Sequence, residues 1–283
     1  MIDEETLLNH AWPAVAALIE ATLRQDEPTA VAQLAPNSPA AELLELFGLE
    51  VFDILLKTVL GQEQLELTQV VEVPERLFIE FAWAEPEFSQ DSLPADRAVS
   101  VMVRLRNGRF RITDVNPGGL DLLLTEARAR AVLATAKILS RRDELPAEPW
   151  ILPLALFAGF LPLPLRPAAL ADAAEAQFLP GLQQREYGVM SLLRARRLWR
   201  DFKQVNPLPA GSPALWAAAV EWVMGEQNSR QMPDTAVAAA YNVPPAKLMQ
   251  RAEAIHKALR ITGLDERYTD LQTIDVLYQD GPG

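Results

Sequence analysis

The chain has 283 residues, 49% of them hydrophobic and 23% charged, with a formal net charge of −12. That length suits about two domains with sizeable cores. With no cysteine and only two histidines, His10 and His256, the chain excludes disulfides, thiolate metal sites, a cysteine nucleophile and a histidine-rich metal centre; a cysteine-free chain also fits the cytoplasm.

The opening, MIDEETLLNHAW, is acidic and lacks the positive start and apolar core of a signal peptide. Leu7, Leu8, Val15, Leu18, Ile19 and Leu23 recur at helical spacing and predict a helix over 3–24, with a kink or a broken first turn at Pro13. Short helices are expected over 28–35 and 40–47, then a stop at Gly48 and a helix over 49–61 ending at Gly61. The period then changes to two. Leu65, Leu67, Val71 and Val73 fall on one face of a strand over 64–73, with Glu66, Thr68 and Glu72 on the other. Leu77, Ile79, Phe81 and Trp83 share one side of a strand over 76–85, and 86–96 is a loop. Residues 98–115 hold two alternating runs around Asn107-Gly108, the strongest short-range signal for a type I′ hairpin. Helices followed by a curved antiparallel sheet resemble, in element order over residues 1–120, the NTF2-like (SnoaL-like) domains. The resemblance implies helices packed over a bent sheet around a pocket, open to a small-molecule ligand.

A two-residue turn fixes the hairpin register. Arg106 then pairs with Arg109 and Arg104 with Arg111, so four arginines share one face, with Glu66, Glu72 and Glu80 expected on that face of neighbouring strands. Two readings follow: a cross-strand salt-bridge ladder, or a site for an anion or an acidic partner. Val99, Val101, Val103, Leu105, Phe110 and Ile112 form the other, apolar face. The same register sends Asp114 onto it, opposite Val101, as a candidate general base. His10 and Asp53 are its candidate companions, and a strand-end position facing solvent is the alternative.

A long helix is expected over 119–144, and the proline-rich text of 145–167 is the best boundary. The domains are thus an α+β unit over 1–145 and an all-α unit over 146–283. Their charges differ: residues 1–150 hold 25 Asp+Glu against 13 Lys+Arg, and the remainder 13 against 13. The apolar run over 150–165 is interrupted by Pro153, Pro162 and Pro164, too short to span a bilayer, and reads as a buried segment at the domain junction. An Ala-rich helix near 167–177, a helical run over 181–204, a loop over 206–213, a helix over 213–227 and a helix pair over 234–261 complete the second unit.

That pair has helix-turn-helix spacing. Ala238 lets the second helix approach, Asn242 tolerates the left-handed turn, Val243 and Leu248 lock the angle, and Pro244 and Pro245 suit the opening of the second helix. Upstream stand Trp216, Ala217, Ala218, Ala219, Gly225 and Asn228, followed by Ala238, Tyr241, Val243 and Ile255. Over 190–261 these residues resemble an uncharacterised bacterial helical domain related in layout to the cyclin-like repeats of transcription factor IIB. The resemblance implies a DNA-binding-like fold. The reading end, Pro244-Pro245-Ala246, offers almost no hydrogen bonds to base edges, where members of that family carry Ser or Thr. Lys247, Gln250 and Arg251 remain as candidates for DNA or partner contact, with His256, Lys257 and Arg260 farther along. RARRLWR, 194–200, adds Arg194, Arg196, Arg197 and Arg200, with Lys203 beyond, around Trp199, a pattern used by nucleic-acid binders and also by a helix whose Leu192, Leu193 and Trp199 face the core while the arginines are solvated.

No glycine-rich phosphate loop, metal-ligand spacing or serine elbow occurs, so no cofactor or metal is expected. The reading is a non-enzymatic binding or regulatory protein. Its helical unit contacts a partner, with DNA a candidate, and its sheet unit dimerises or senses a ligand. The alternatives are a small-molecule enzyme or binder with a pocket in the sheet unit, and an assembly module that self-associates or binds another protein. No membrane contact is expected.

Overall fold

The computed structural model describes residues 4–62, 65–73, 76–83, 98–117, 151–207, 211–228, 230 and 232–269. The expected loop over 86–96, the helix over 119–144 and the DGPG end lie outside the described residues. The fold is mixed: α-helices and a four-stranded antiparallel sheet, in two compact units, Met1–Leu156 and Phe157–Gly283. No described helix is long and apolar enough to cross a membrane.

The first unit opens with α1 (Glu4–Leu23), which runs unbroken across Pro13 and buries Ala11, Val15 and Leu18 at helical spacing. Helix α2 (Glu27–Gln33) is capped by Asp26, which accepts from Thr29 N at 3.2 Å. Ser38 caps α3 (Pro39–Phe47) through Ala41 N, Pro39 takes its first turn, and Gly48 ends it at φ 74°. Helix α4 (Glu50–Leu55) is shorter than expected, the chain passing into turns that close at Gly61. Strands β1 (Leu65–Val73), β2 (Arg76–Trp83), β3 (Ala98–Arg106) and β4 (Arg109–Pro117) form a meander in sequence order. All four helices contact β4, and Ala35 N donates to Ile112 O at 2.8 Å. Ile79, Phe81, Val99, Val101, Val103, Ile112 and Val115 form the buried face, with Trp12 edge-on to Phe81 at 5.2 Å.

Asn107 and Gly108 both take positive φ, 51° and 74°, as a type I′ turn requires. Arg104 pairs with Arg111 and Arg106 with Arg109, as the turn dictates. Beyond them a bulge changes the register: Val103 pairs with Ile112 but Met102 pairs with Asp114, leaving Thr113 as the extra residue. Thr113 is buried, and its hydroxyl donates to Met102 O at 3.1 Å. A one-residue slip exchanges the two faces. Asp114 therefore lies opposite Met102 and not opposite Val101, off the apolar face, and its carboxylate stands 4.0 Å from the Arg76 guanidinium. A second bulge between Leu67 and Gln69 shifts β1 likewise. Val71, expected inward, is exposed, and Glu66 and Glu72 pair with Ala82 and Leu77, so they no longer share a parity. Leu105, also expected inward, is 56% exposed, one residue from the end of β3 at the hairpin tip.

The second unit is helical. The division between the units falls within α5 (Ile151–Ala158), formed by the apolar run, after Leu156; its Leu152, Leu154, Leu156 and Phe157 are buried. Between 167 and 177 the chain departs from expectation. A single 3₁₀ turn, Pro167–Ala169, precedes α6 (Glu175–Gln184), because Asp172 Oδ1 accepts from Ala174 N and Glu175 N, both at 3.0 Å, and moves the helix start. The run over 181–204 is cut at Glu186, φ 60°, before α7 (Val189–Val205) begins. Helix α8 (Pro213–Gln227) is buried over most of its length, Glu221 and Gln227 included, and contacts α6, α7, α9 (Asp234–Ala240) and α10 (Pro245–Leu259). The α9–α10 turn places Asn242 at φ 53°, and Val243 N donates to Ala238 O at 3.0 Å. Leu215, Ala218, Val237, Ala238 and Leu248 form the small core beneath it.

Ion pairs hold this unit from inside. Glu175, fully buried, meets Arg196 at 2.6 Å, and Arg196 Nη2 donates to Ala169 O at 2.6 Å. Asp172 Oδ2 accepts from Trp199 Nε1 at 2.9 Å and from Lys203 Nζ at 2.6 Å, tying the α6 start to α7. Burial works to raise the Asp172 pKa, but the hydrogen bonds from Lys203, Glu175 N and Trp199 outweigh it and hold the carboxyl below the usual range. A depressed folded pKa contributes stability above the unfolded carboxylate value and loses it as pH falls through the folded one. Asp172→Asn is expected to lower stability by about 1–2 kcal/mol near neutrality, allowing for its partial exposure. Urea unfolding at about pH 7 and about pH 2 checks this: the gap between the two chains closes in acid, and a gap independent of pH contradicts it.

Candidate functional site

Helix α10 buries Leu248, Ala252, Ile255 and Leu259 and turns a second stripe outward. Ala246, Met249, Gln250, Glu253 and His256 recur at three- and four-residue steps, one face of a helix. With Trp222 and Glu226 of α8 they line an open groove of about 460 Å³. Trp222 and Met249 pack on the core below while keeping part of their surface outside. Trp222 and His256 lie ring to ring at 6.2 Å. Gln250 and Glu253 stand exposed at the rim.

His256 Nε2 and Glu226 Oε2 are 3.1 Å apart, and both atoms are buried. Burial pushes the His256 ring below its ordinary value and the Glu226 carboxyl above its own, so both shifts favour uncharged forms. The groove is apolar in its Trp222 and Met249 walls and carries one exposed acid, Glu253, at its rim.

A polar core lies behind α8. Glu221, 1% exposed, accepts at Oε2 from the Tyr241 hydroxyl at 2.5 Å and from Arg185 Nη2, while Arg185 Nη2 also donates to the Tyr241 oxygen at 3.1 Å. Burial and the neighbouring Glu221 carboxylate raise the Tyr241 pKa far above the ordinary tyrosine value, and burial pushes Tyr187 up to about 12. Arg230 lies over the Tyr187 ring at 5.1 Å and donates to Glu186 O at 2.6 Å. The chamber that Glu221, Tyr187, Gly225 and Arg230 help to line holds about 80 Å³, room for a few waters and far below a substrate pocket.

The residues expected from sequence are dispersed. Gln250 belongs to the groove; Lys247 is exposed on the adjoining face of α10; Arg251 is half-buried, its guanidinium 4.9 Å over the Trp216 ring. Arg194 is half-buried and donates to Arg267 O at 3.4 Å, Arg197 is exposed and 3.9 Å from Asp201, and Arg200 is half-buried. Helices α7 and α10 touch, and the basic stretches meet through a tryptophan pair, Trp199 and Trp216 at 5.9 Å. Trp199 is 2% exposed and stacked on Phe202, so it has no face free for a base. In the sheet unit Asp114 faces Arg76, Asp53 faces Lys57 at 3.4 Å and His10 is exposed, so the three share no enclosed site. No three His, Asp or Glu among the described residues are grouped to hold a metal ion. Trp222, Met249 and Glu253 were not singled out from sequence, although the 246–249–253 step was there to read.

Comparison with protein-family models, with curated proteins and with solved structures finds no match to this chain.

Proposed function

We propose that this chain is a non-enzymatic binding protein whose helical unit seats a segment of a partner protein in the α8–α10 groove. The observation that carries this reading is the groove itself: tryptophan and methionine walls, Glu253 exposed at the rim, and Glu226 set deeper beside His256. That chemistry complements an amphipathic segment with apolar anchors and basic flanks. The α9–α10 pair then serves as a helix-turn-helix scaffold, and the sheet unit, NTF2-like in its order of helices and strands, serves as an association module. Fluorescence anisotropy of a labelled peptide of Leu and Lys at helical spacing, titrated with the full chain, tests the reading. Saturable binding is expected, weakened about tenfold or more by Glu253→Lys and unchanged by Glu266→Lys, a control at another exposed acid of the same unit. Equal loss in both variants, or in neither, contradicts it.

Nucleic-acid contact is the second reading, favoured by Lys247 exposed on the first turn of α10 just after the left-handed Asn242. A labelled random duplex at low salt distinguishes the two. Protein docking at an acidic groove predicts no saturable binding. Binding that falls with added salt and with Lys247→Ala and Arg251→Ala supports the duplex reading instead.

A further inference from the structure

The β3–β4 hairpin tip sets like charges opposite one another, and at Arg106, Arg109 and Arg111 the described fold supplies no acidic partner. Arg104 faces Arg111 and Arg106 faces Arg109 across the ladder. Strand geometry sets these four positions at the corners of a rectangle of roughly 7 by 5 Å. Like charges directly opposite destabilise a sheet. Among the described residues no acidic side chain pairs with Arg106, Arg109 or Arg111. The expected ladder of glutamates does not reach them: Glu80 pairs across from Ser100, toward the other end of β3. On the opposite face of the same tip Leu105, paired with Phe110, is 56% exposed. The tip is therefore an uncovered arm, with an array of guanidinium groups on one side and an apolar pair on the other.

The surroundings are of opposite sign. Residues 1–100 hold 19 Asp+Glu against four Lys+Arg. Glu20, Asp26, Glu45 and Glu50 are exposed on α1–α4 and the turn between them, where Arg24 and Lys57 are the basic residues. A polyanion such as nucleic acid would approach the arm against that field, whereas an acidic helical surface is a complement present on every copy of the chain. We infer that the arginine arm docks on the acidic helical layer of a second copy of this chain, with Leu105 covered at the contact. Arginine forks suit such a contact because each can bind a carboxylate through two parallel hydrogen bonds. The inference is independent of the groove in the helical unit.

Sedimentation velocity of the full chain at about 20 mM and about 500 mM salt tests it, since screening shortens the reach of such pairs several-fold over that range. A dimer or larger assembly is expected at low salt and a monomer at high salt. Arg106→Glu with Arg109→Glu, on exposed turn-flanking positions, is expected to stay monomeric at low salt while keeping the circular dichroism of the parent. Glu20→Lys, Glu45→Lys and Glu50→Lys together are expected to do the same. The milder Arg106→Gln with Arg109→Gln covers the case in which charge reversal unfolds the hairpin, and is expected to weaken association about tenfold. A parent chain that is monomeric at low salt overturns the inference, and so does association that survives either the arm or the helical-layer change. A monomer that retains a labelled duplex through the same arginines overturns it in favour of nucleic acid.

Discussion

Glu175→Ala is expected to destabilise the folded chain by about 3–5 kcal/mol, because it leaves the Arg196 guanidinium charged where no water reaches it. Glu175 is fully buried and Arg196 is 3% exposed. Burial drives the Glu175 carboxyl above its usual range even with Arg196 beside it. The pair also locates the start of α6, since Arg196 reaches Ala169 O on the 3₁₀ turn ahead of it. Two charges taken from water together offset each other; one left alone does not. Glu175→Leu with Arg196→Met, which fills the space with apolar side chains, is expected to lie within about 1–2 kcal/mol of the parent, and on either side of it. Urea unfolding of Glu175→Leu, Arg196→Met and the double variant checks this. Singles and double that lose the same amount would show that shape, not the uncompensated charge, sets the cost.

The second large effect is expected at Glu221, which joins the end of α6 through Arg185 to the end of α9 through Tyr241. Glu221→Leu removes the acceptor of two donors inside the unit and is expected to lower stability by about 3 kcal/mol or more. Tyr241→Phe removes two hydrogen bonds, the one donated to Glu221 and the one accepted from Arg185, and is expected to lose about 1–3 kcal/mol. The same geometry sets an alkaline limit. Tyr241 and Tyr187 have folded pKa values raised above the unfolded one, so their contribution is complete below the ordinary tyrosine value and is lost as pH rises beyond it. Burial and the Asp201 carboxylate raise Tyr268 likewise, so ultraviolet titration of tyrosinate is expected to show three tyrosines, Tyr187, Tyr241 and Tyr268, that ionise only with unfolding, and Tyr241→Phe is expected to remove one of them. Free ionisation of all four tyrosines near the ordinary value would contradict the network.

Much of the architecture was legible where one residue type has one geometric use. Asn107-Gly108 announced the turn and, with it, the pairing of four arginines. Asn242 announced the left-handed position between α9 and α10. The bulges at Thr68 and Thr113 were not legible. Nothing in an alternating pattern marks which residue will be squeezed out of register, and each slip exchanged inward and outward positions beyond it. That is why Asp114 read as an enclosed carboxylate and Val71 as a core residue. RARRLWR misled for a different reason. Arg196 lies between Leu192 and Trp199 at helical steps, on the buried stripe of α7, and a charge at a core position becomes intelligible only once Glu175, from another helix, is known to meet it. The groove needs two helices at once, so its Trp222 and Glu253 are ordinary residues in sequence and neighbours only in the fold.

The central claim is that the α8–α10 groove is the docking surface of the helical unit. Hydrogen–deuterium exchange of the full chain, with and without a saturating Leu/Lys amphipathic peptide, tests it most directly. Added protection is expected over 222–226 and 246–256 and is expected to be absent from the Glu253→Lys chain. Protection confined to the arginine hairpin over 104–111, or no change along α10, would contradict the claim.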